Sequence, residues 1–307
     1  MTTLSRPQAA APPAPSIGHH MRWQEALSAV IAALMTFASL GGLFIDGLYR
    51  DNTWSTAAFR GGDLATLLLA VPVLVVALGL ARRGSDRARL VWLGVLAYDV
   101  YNYAFYLFGT AFNDFFLLYA ALEALSLITL AGAISSVLAV PRTARRVPAL
   151  LVAGYMALVG AVFAAMWIAQ TVRCLTDGTL PKVIAQSGIH TRIVFALDLS
   201  LIVPAFLIGA VLLWRGHSAG AVLGVAMNVL GVLYMASLAG AGGFQANAGI
   251  SGSSWAGPPW IELAITSLAA CWLLLLQYLT IRRQYSRAAG TRRLLVPGGF
   301  HQRPGEG

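Results

Sequence analysis

The sequence predicts an all-α polytopic membrane protein, a transmembrane bundle of about eight helices. Of its 307 residues, 58% are hydrophobic and only 11% are charged, whereas about a quarter of the residues in a water-soluble domain are charged. The apolar runs are continuous, which favours helices over the alternating strands of a membrane barrel. The composition excludes a cytosolic enzyme, a secreted disulfide scaffold and a nucleic-acid-binding domain, because there are two cysteines and the basic residues lie beside apolar spans.

Charged residues and Gly/Pro clusters divide the chain into candidate spans. The spans lie near residues 26–45, 64–81, 90–110, 115–140, 147–170, 193–214, 220–243 and 260–281. The first apolar run is longer than the core of a signal peptide and lacks a clear cleavage site, so it predicts a retained signal anchor. Residues 1–21 are rich in proline and predict a disordered cytoplasmic tail. The transmembrane domain then covers 22–283, and 284–307 form a basic disordered cytoplasmic tail.

The distribution of Lys and Arg predicts the orientation. One set of connections, together with both termini, holds 16 of the 21 basic residues, and the opposite set holds five. Because cytoplasmic loops retain positive charge, we expect both termini in the cytoplasm of a cell whose plasma membrane the protein spans. The arginines after residue 281 are expected to lie against anionic headgroups, which makes membrane lipids the expected partner and excludes nucleic acid.

The second and sixth spans share a pattern that suggests an internal duplication. Each has an aspartate in its first half, a proline near its middle and an Arg-Gly pair at its end, namely Asp63, Pro72 and Arg83-Gly84 in one and Asp198, Pro204 and Arg215-Gly216 in the other. Spans one to four and five to eight would then be parallel halves related by an axis along the membrane normal. This alignment places Asp99 opposite Asn228 and Glu123 opposite Glu262. The alternative is the chance similarity of apolar helices.

Polar side chains inside the third and fourth spans form two stripes. A carboxyl in hydrocarbon is costly and usually faces a bundle interior or a water-filled cavity, and Asp99 lies about 14 Å along its span. Asp99, Asn102, Tyr103 and Tyr106 share one helix face, and Glu123 shares a face with Tyr119 and Ser126. The short connection at Asn113 makes the two helices antiparallel neighbours. The stripes predict either a cavity for a cation, a proton or a polar solute, or a hydrogen-bonded network that fixes helix packing.

Two further polar residues are candidates for the same cavity. Asp198 lies on a different helix face from Arg192, so we expect it to pair with Arg50 or Arg60 of another segment. Asn228 lies among glycines at spacings of three and four residues, which predicts close helix packing. Pro72 and Pro204 predict either packing kinks or carbonyls opened toward a ligand.

Motifs that would identify a reaction are missing from the sequence. All five histidines lie in tails or connections, which disfavours intramembrane haem ligation. There is no HExxH motif, Walker A sequence or CxxC pair. The sequence therefore predicts no catalytic residue, no cofactor and no metal site.

Residues 101–109 (YNYAFYLFG), with residues 47–51 upstream and residues 197–215 downstream, resemble a family of uncharacterised bacterial multi-pass membrane proteins. The resemblance covers roughly residues 26–281. It implies a bacterial plasma membrane and supplies no substrate or catalytic residue.

These features predict a carrier or ligand-binding protein with an outward-facing polar cavity. The expected lining is Asp99, Asn102, Tyr103, Tyr106, Glu123, Asp198 and Asn228. Two alternatives stay open. One is a membrane-embedded enzyme that uses paired carboxyls as acid and base, and the other is a non-catalytic assembly partner in which the polar stripes are helix contacts.

Overall fold

The computed structural model describes residues 22–138, 146–188, 193–255 and 259–294, and these residues form helices and turns without a strand. The predicted all-α polytopic bundle is confirmed. Seven of the described helices are long and apolar enough to cross a membrane. The tail 1–21 and residues 295–307 lie outside the described residues.

Eight long helices cover most of the described chain. They are α1 (Arg22–Phe44), α2 (Thr53–Arg82), α3 (Asp86–Gly109), α4 (Phe116–Leu138), α5 (Arg146–Asp177), α6 (Ile193–Trp214), α7 (Ser218–Asn247) and α8 (Trp260–Leu294). A short helix, Lys182–Ser187, lies between α5 and α6. Helix α2 begins eleven residues before the predicted start at Leu64, and α8 continues to Leu294, into the segment predicted to be a tail.

Local sequence explains where the central helices begin and end. Asn52 and Ser85 accept backbone N–H groups at the first turns of α2 and α3, which satisfies donors that have no partner within the helix. Gly84 and Gly216 follow α2 and α6 with positive φ values of 85° and 67°, a conformation that glycine adopts without strain.

Helices α2 and α6 each contain one turn of π-helix. The turns are Thr66–Ala70 and Asp198–Ile202, and each is followed directly by Val-Pro. Proline has no N–H and its ring clashes with the carbonyl four residues before it. The wider turn accommodates that clash and shifts the side chains that follow.

The helices pack as two four-helix halves with the same neighbours. Helix α1 packs on α2 and α4, α2 on α3, and α3 on α4; in the second half α5 packs on α6 and α8, α6 on α7, and α7 on α8. Equivalent features lie 132 residues apart (66 to 198, 82 to 214, 86 to 218). This register places Asp99 opposite Gly231, so the pairing of Asp99 with Asn228 that the sequence pattern suggested is offset by three residues.

Helices α3 and α7 lie in the middle of the molecule and pack against each other. Helix α3 is not among the seven apolar spans, and Asp99, Asn102 and several tyrosines lower its mean hydropathy. It is covered by α2, α4 and α7, so most of its side chains are buried in protein.

The outward faces of the other helices are apolar. Large exposed side chains include Leu68, Val75 and Val76 of α2, Leu151, Leu158 and Val162 of α5, and Ile265, Leu268 and Trp272 of α8. So extended an apolar surface is unfavourable in water and favourable in lipid. The protein is therefore an integral, multi-pass membrane protein.

Candidate functional site

Three aspartates are buried in the interior, and they differ in their partners. Asp63 of α2 is 4% exposed, and Asp99 of α3 and Asp198 of α6 are 0% exposed. A buried carboxyl needs hydrogen-bond donors, a proton or a cation, since burial removes its hydration. The partners of each aspartate therefore indicate its role.

Asp63 is held by two tyrosines. The Tyr49 hydroxyl donates to Asp63 Oδ2 at 2.5 Å, and the Tyr106 hydroxyl lies 3.2 Å from Asp63 Oδ1 and 2.9 Å from the Phe59 carbonyl. Gly42 of α1 faces this group so closely that a β-carbon there would collide with the Asp63 carboxyl. Asp63 thus ties α2 to α3 and to the loop that follows α1.

Asp198 is held by three donors from three other helices. The hydroxyl of Tyr101 donates to it at 2.7 Å, the indole N–H of Trp167 at 2.8 Å and the hydroxyl of Tyr234 at 3.3 Å. The rings of Tyr101 and Tyr234 lie 4.8 Å apart. This cluster joins both halves through α3, α5, α6 and α7.

The predicted pairing of Asp198 with Arg50 or Arg60 is wrong. Arg50 pairs with Asp114 at 3.0 Å and Arg60 pairs with Asp46 at 3.1 Å. Both arginines reach acids of the connecting loops at one end of the bundle, where their charge remains hydrated. We call this end, formed by residues 45–52 and 110–115, the Arg50 end.

Asp99 differs from the other two aspartates because neither of its carboxyl oxygens has a hydrogen-bond partner. Other buried polar atoms of α3 and α4 are also without a partner. Asn102 Nδ2, Glu123 Oε2, Ser126 Oγ and Thr129 Oγ1 lie near Asp99 in height along the bundle, and Tyr119 Oη and Arg89 Nε lie nearer the helix ends. Asp99 and Glu123 are near enough for an electrostatic interaction. We call Asp99, Asn102, Glu123, Ser126 and Thr129 the Asp99 cluster.

The antiparallel packing of α3 and α4 brings the members of the cluster together. The rings of Tyr106 and Tyr119 lie 5.3 Å apart near the connection between the helices. Asp99 and Ser126 each lie seven residues further from that connection, which is two helical turns and about 10 Å on both helices. The two residues therefore lie at about the same level of the bundle, and both side chains are buried.

The hydroxyls of Ser126 and Thr129, like that of Ser39 in α1, are buried without a hydrogen-bond partner, whereas several other helical hydroxyls of the described residues have one. Ser28, Thr36 and Ser237 each donate to the carbonyl four residues earlier in their helix, which is the common arrangement for a helical serine or threonine. Ser126 and Thr129 are 0% exposed and form no such bond.

The predicted cavity residues lie in three places. Asp99, Asn102 and Glu123 lie in one cluster, and Tyr103 and Tyr106 extend from it toward the Arg50 end, where both rings lie beside Tyr119. Asp198 belongs to the separate aromatic cluster. Asn228 lies between Gly224 and Gly231 on the face of α7 that packs on α6 and α8, and it donates to the Gly224 carbonyl at 2.7 Å.

The aromatic partners of Asp198 were not predicted. Tyr101, Tyr234 and Trp167 come from three helices, and only the three-dimensional packing brings them to one carboxyl. The one sequence signal was the run of tyrosines on span three, since Tyr98 and Tyr101 fall outside the Asp99 stripe and therefore need partners on other helices.

A small cavity lies in the second half at the position that Asp99 occupies in the first. It is lined by Gly231, Phe206, Leu263, Tyr155 and Ser267 and has a volume of about 20 Å³. Tyr155 and Ser267 hydrogen-bond to each other at 2.7 Å. The space suffices for about one water molecule, so this half has no room for a larger solute at the equivalent position.

At the Arg50 end, Asp51 links two loops. Its carboxylate accepts the N–H of Ala111 at 3.1 Å. Partial burial raises the pKa of Asp51 above its ordinary value, and the hydrogen bond from Ala111 opposes that rise.

Within the described residues, no group of three His, Cys, Asp or Glu side chains is close enough to hold a metal ion. No family model, curated protein or solved structure matches the chain.

Proposed function

We propose that this protein is a membrane carrier or ligand-binding protein that takes up a proton or a small cation at the Asp99 cluster. The observation that carries the proposal is the isolation of the Asp99 carboxyl, which is fully buried and has no hydrogen-bond partner. An ionised carboxylate without a partner in an apolar interior is strongly unfavourable, and it becomes neutral by binding a proton or pairs with a cation.

The surroundings of Asp99 support a positively charged ligand. Asp63 and Asp198 show how this protein stabilises a structural carboxyl, with hydroxyl and indole donors within 3.3 Å. Asp99 lacks those donors, and its neighbour Glu123 adds a second acid. A buried ionisable group of a membrane helix that is not used in packing indicates a functional site.

The architecture favours a carrier. Two four-helix halves with the same packing order meet along α2, α3 and α7, and many transporters are built from repeats that move against each other around a site in the membrane. Helix α3 carries Asp99 and also lies at the boundary between the halves. A movement between the halves would therefore act directly on the helix that binds the ligand.

The test is thermal stability of the purified protein in detergent at several pH values and with a panel of cations. A ligand that binds the native state raises apparent stability by mass action. We expect a proton or cation response in the wild type and its loss in Asp99→Asn and Glu123→Gln. Asp198→Asn is the matched control, because it weakens the fold through lost hydrogen bonds and should keep the response.

The same variants distinguish the alternatives. Equal responses of Asp99→Asn, Glu123→Gln and wild type would exclude the Asp99 cluster as a site. Flux into proteoliposomes that depends on Asp99 identifies a carrier, whereas a binding protein responds without flux. A membrane enzyme with paired carboxyls would turn over substrate in detergent, and an assembly partner would lose a bound protein when the stripes are changed.

We also propose that the protein spans a bacterial plasma membrane with both termini in the cytoplasm and with anionic lipids around its basic ends. The support is the excess of arginine at the opposite end of the bundle from Arg50. Cys174, in the last turns of α5 near the Arg50 end, provides the test, and buried Cys271 is the internal control. A membrane-impermeant maleimide should label Cys174 in intact cells; labelling only after permeabilisation reverses the orientation.

A further inference from the structure

We propose that the ligand of the Asp99 cluster is a monovalent alkali cation, held by oxygens of Asp99, Ser126 and Thr129, with Glu123 on its route of entry. This proposal rests on the proposed function and narrows its ligand. It is carried by the kind of atoms that lack partners: of the six unpartnered atoms in the cluster, five are oxygens and one is the amide nitrogen of Asn102.

The donor set excludes an anionic ligand. Two acids repel an anion, and the donors of the cluster are one amide and two hydroxyls, with no cationic side chain among its members. Arg60, an arginine of the adjacent α2, is paired with Asp46 and lies at the Arg50 end. The charge that balances an ionised Asp99 must therefore come from the ligand.

The two hydroxyls favour a metal cation over a proton alone. A protonated Asp99 donates one hydrogen bond and therefore needs one acceptor. Ser126 and Thr129 lie one helical turn apart on the buried face of α4, and neither uses its hydroxyl to bond its own helix. Two hydroxyl oxygens and a carboxylate are the hard oxygen ligands that cations of the main groups prefer.

The charge of the cluster favours a single positive charge. Asp99 is its one fully buried acid, while Glu123 is half-buried at the edge of α4. A monovalent cation bound to ionised Asp99 gives a neutral complex in the interior, and the hydroxyls add ligands without charge. A divalent cation would require Glu123 to be ionised as well and drawn fully into the site.

Glu123 also marks the route by which the cation enters. It is the member of the cluster with the largest exposed surface, and it lies one helical turn nearer to the Arg50 end than Ser126. A carboxyl at this position replaces part of the hydration shell of an entering cation before Asp99 binds it. Replacing Glu123 should therefore slow cation entry more than replacing either hydroxyl.

The experiment measures thermal stability of the full-length protein in detergent at pH 8, in sodium, lithium, potassium or choline chloride at equal ionic strength. We expect at least one alkali cation to raise the melting temperature relative to choline. In the Ser126→Ala, Thr129→Val double variant the apparent dissociation constant should rise by at least about tenfold, the loss of about 1.4 kcal/mol of binding free energy.

Two hydroxyls of α1 provide the matched control. Ser28 and Thr36 each donate to the carbonyl four residues earlier in α1, and their hydrogen-bond partners Gln24, Ala32 and Trp92 do not belong to the Asp99 cluster. The Ser28→Ala, Thr36→Val double variant removes the same two groups and should keep the wild-type cation response. This control distinguishes the effect of removing any two hydroxyl groups from the effect of removing cation ligands.

The outcomes test the alkali-cation proposal separately from the proposed function. If Asp99→Asn changes the pH dependence of stability in choline while no alkali cation acts on the wild type, the site binds protons and the alkali proposal is overturned, although the proposed function stands. Stronger stabilisation by calcium or magnesium also overturns it. If Asp99→Asn matches the wild type under every condition, both proposals fail.

Discussion

At the scale of single residues, the three buried aspartates show how partners determine role. Asp63 and Asp198 have donors for their carboxyl oxygens and connect helices, whereas Asp99 has none. Substitution by asparagine should therefore change the free energy of unfolding in opposite directions at Asp198 and at Asp99. At Asp198 it replaces one of the two acceptor oxygens with an NH2 group that faces three donors and so destabilises the fold, and at Asp99 it removes a buried acid that no protein group stabilises.

The Tyr101→Phe variant measures the strength of the Asp198 cluster. It deletes the hydroxyl that donates to Asp198 at 2.7 Å and keeps the ring that packs on Tyr234. We expect the free energy of unfolding to fall by about 1 to 3 kcal/mol, the usual range for a buried hydrogen bond to a carboxyl group. The melting temperature in detergent measures it. An unchanged melting temperature would show that the hydrogen bonds from Trp167 and Tyr234 are enough to stabilise the buried Asp198.

The pH dependence of stability should report on Asp51 outside the membrane. Because its pKa is raised in the folded state, the folded protein binds more protons than the unfolded chain, and stability falls as pH rises from the unfolded pKa to the folded one. The melting temperature of the wild type relative to Asp51→Asn should thus decrease from about pH 4 upward. A difference that rises with pH would contradict this sign.

At the scale of helices, the lengths of the apolar runs predicted the spans. The first part of α2 was missed because its residues are polar. The first eleven residues of α2 contain Arg60, Gly61, Gly62 and Asp63, a composition typical of a loop. They are helical because Arg60 has an acid partner in a loop, Asp63 has two tyrosines, and the glycines allow close contacts. These causes lie in other parts of the fold, so periodicity could not reveal them. The same holds for the three donors to Asp198.

The contact between α2 and α7 can be tested with a single methyl group. A β-carbon on Gly61 would collide with the backbone of Gly240 and Ala241, and backbone atoms cannot move aside without shifting a helix. Gly61→Ala should therefore destabilise the protein by about 1 to 3 kcal/mol. Gly79→Ala, in the same helix, meets open space and should be neutral or slightly stabilising. Equal melting temperatures of the two variants would contradict the close approach.

At the scale of the whole molecule, the halves are joined by polar clusters and by close packing. Helix α7 packs on α2 and α3, and the Asp198 cluster contains residues from both halves. The Asp99 cluster lies within the first half alone. Ligand binding at Asp99 and packing between the two halves therefore depend on different residues, although helix α3 contributes to both.

This division predicts that the chain can be cut between Leu138 of α4 and Arg146 of α5 without loss of the bundle. The two fragments contain complete four-helix halves, and their interface along α2, α3 and α7 should hold them together. Coexpressed fragments, with a tag on one, should copurify in mild detergent. Gly61→Ala should reduce the recovery of the untagged half, because it separates α2 from α7, while Gly79→Ala should not. Asp99→Asn should leave recovery unchanged, since its cluster lies within one half. Loss of copurification in Asp99→Asn, or its retention in Gly61→Ala, would show that the interface and the site are not divided in this way.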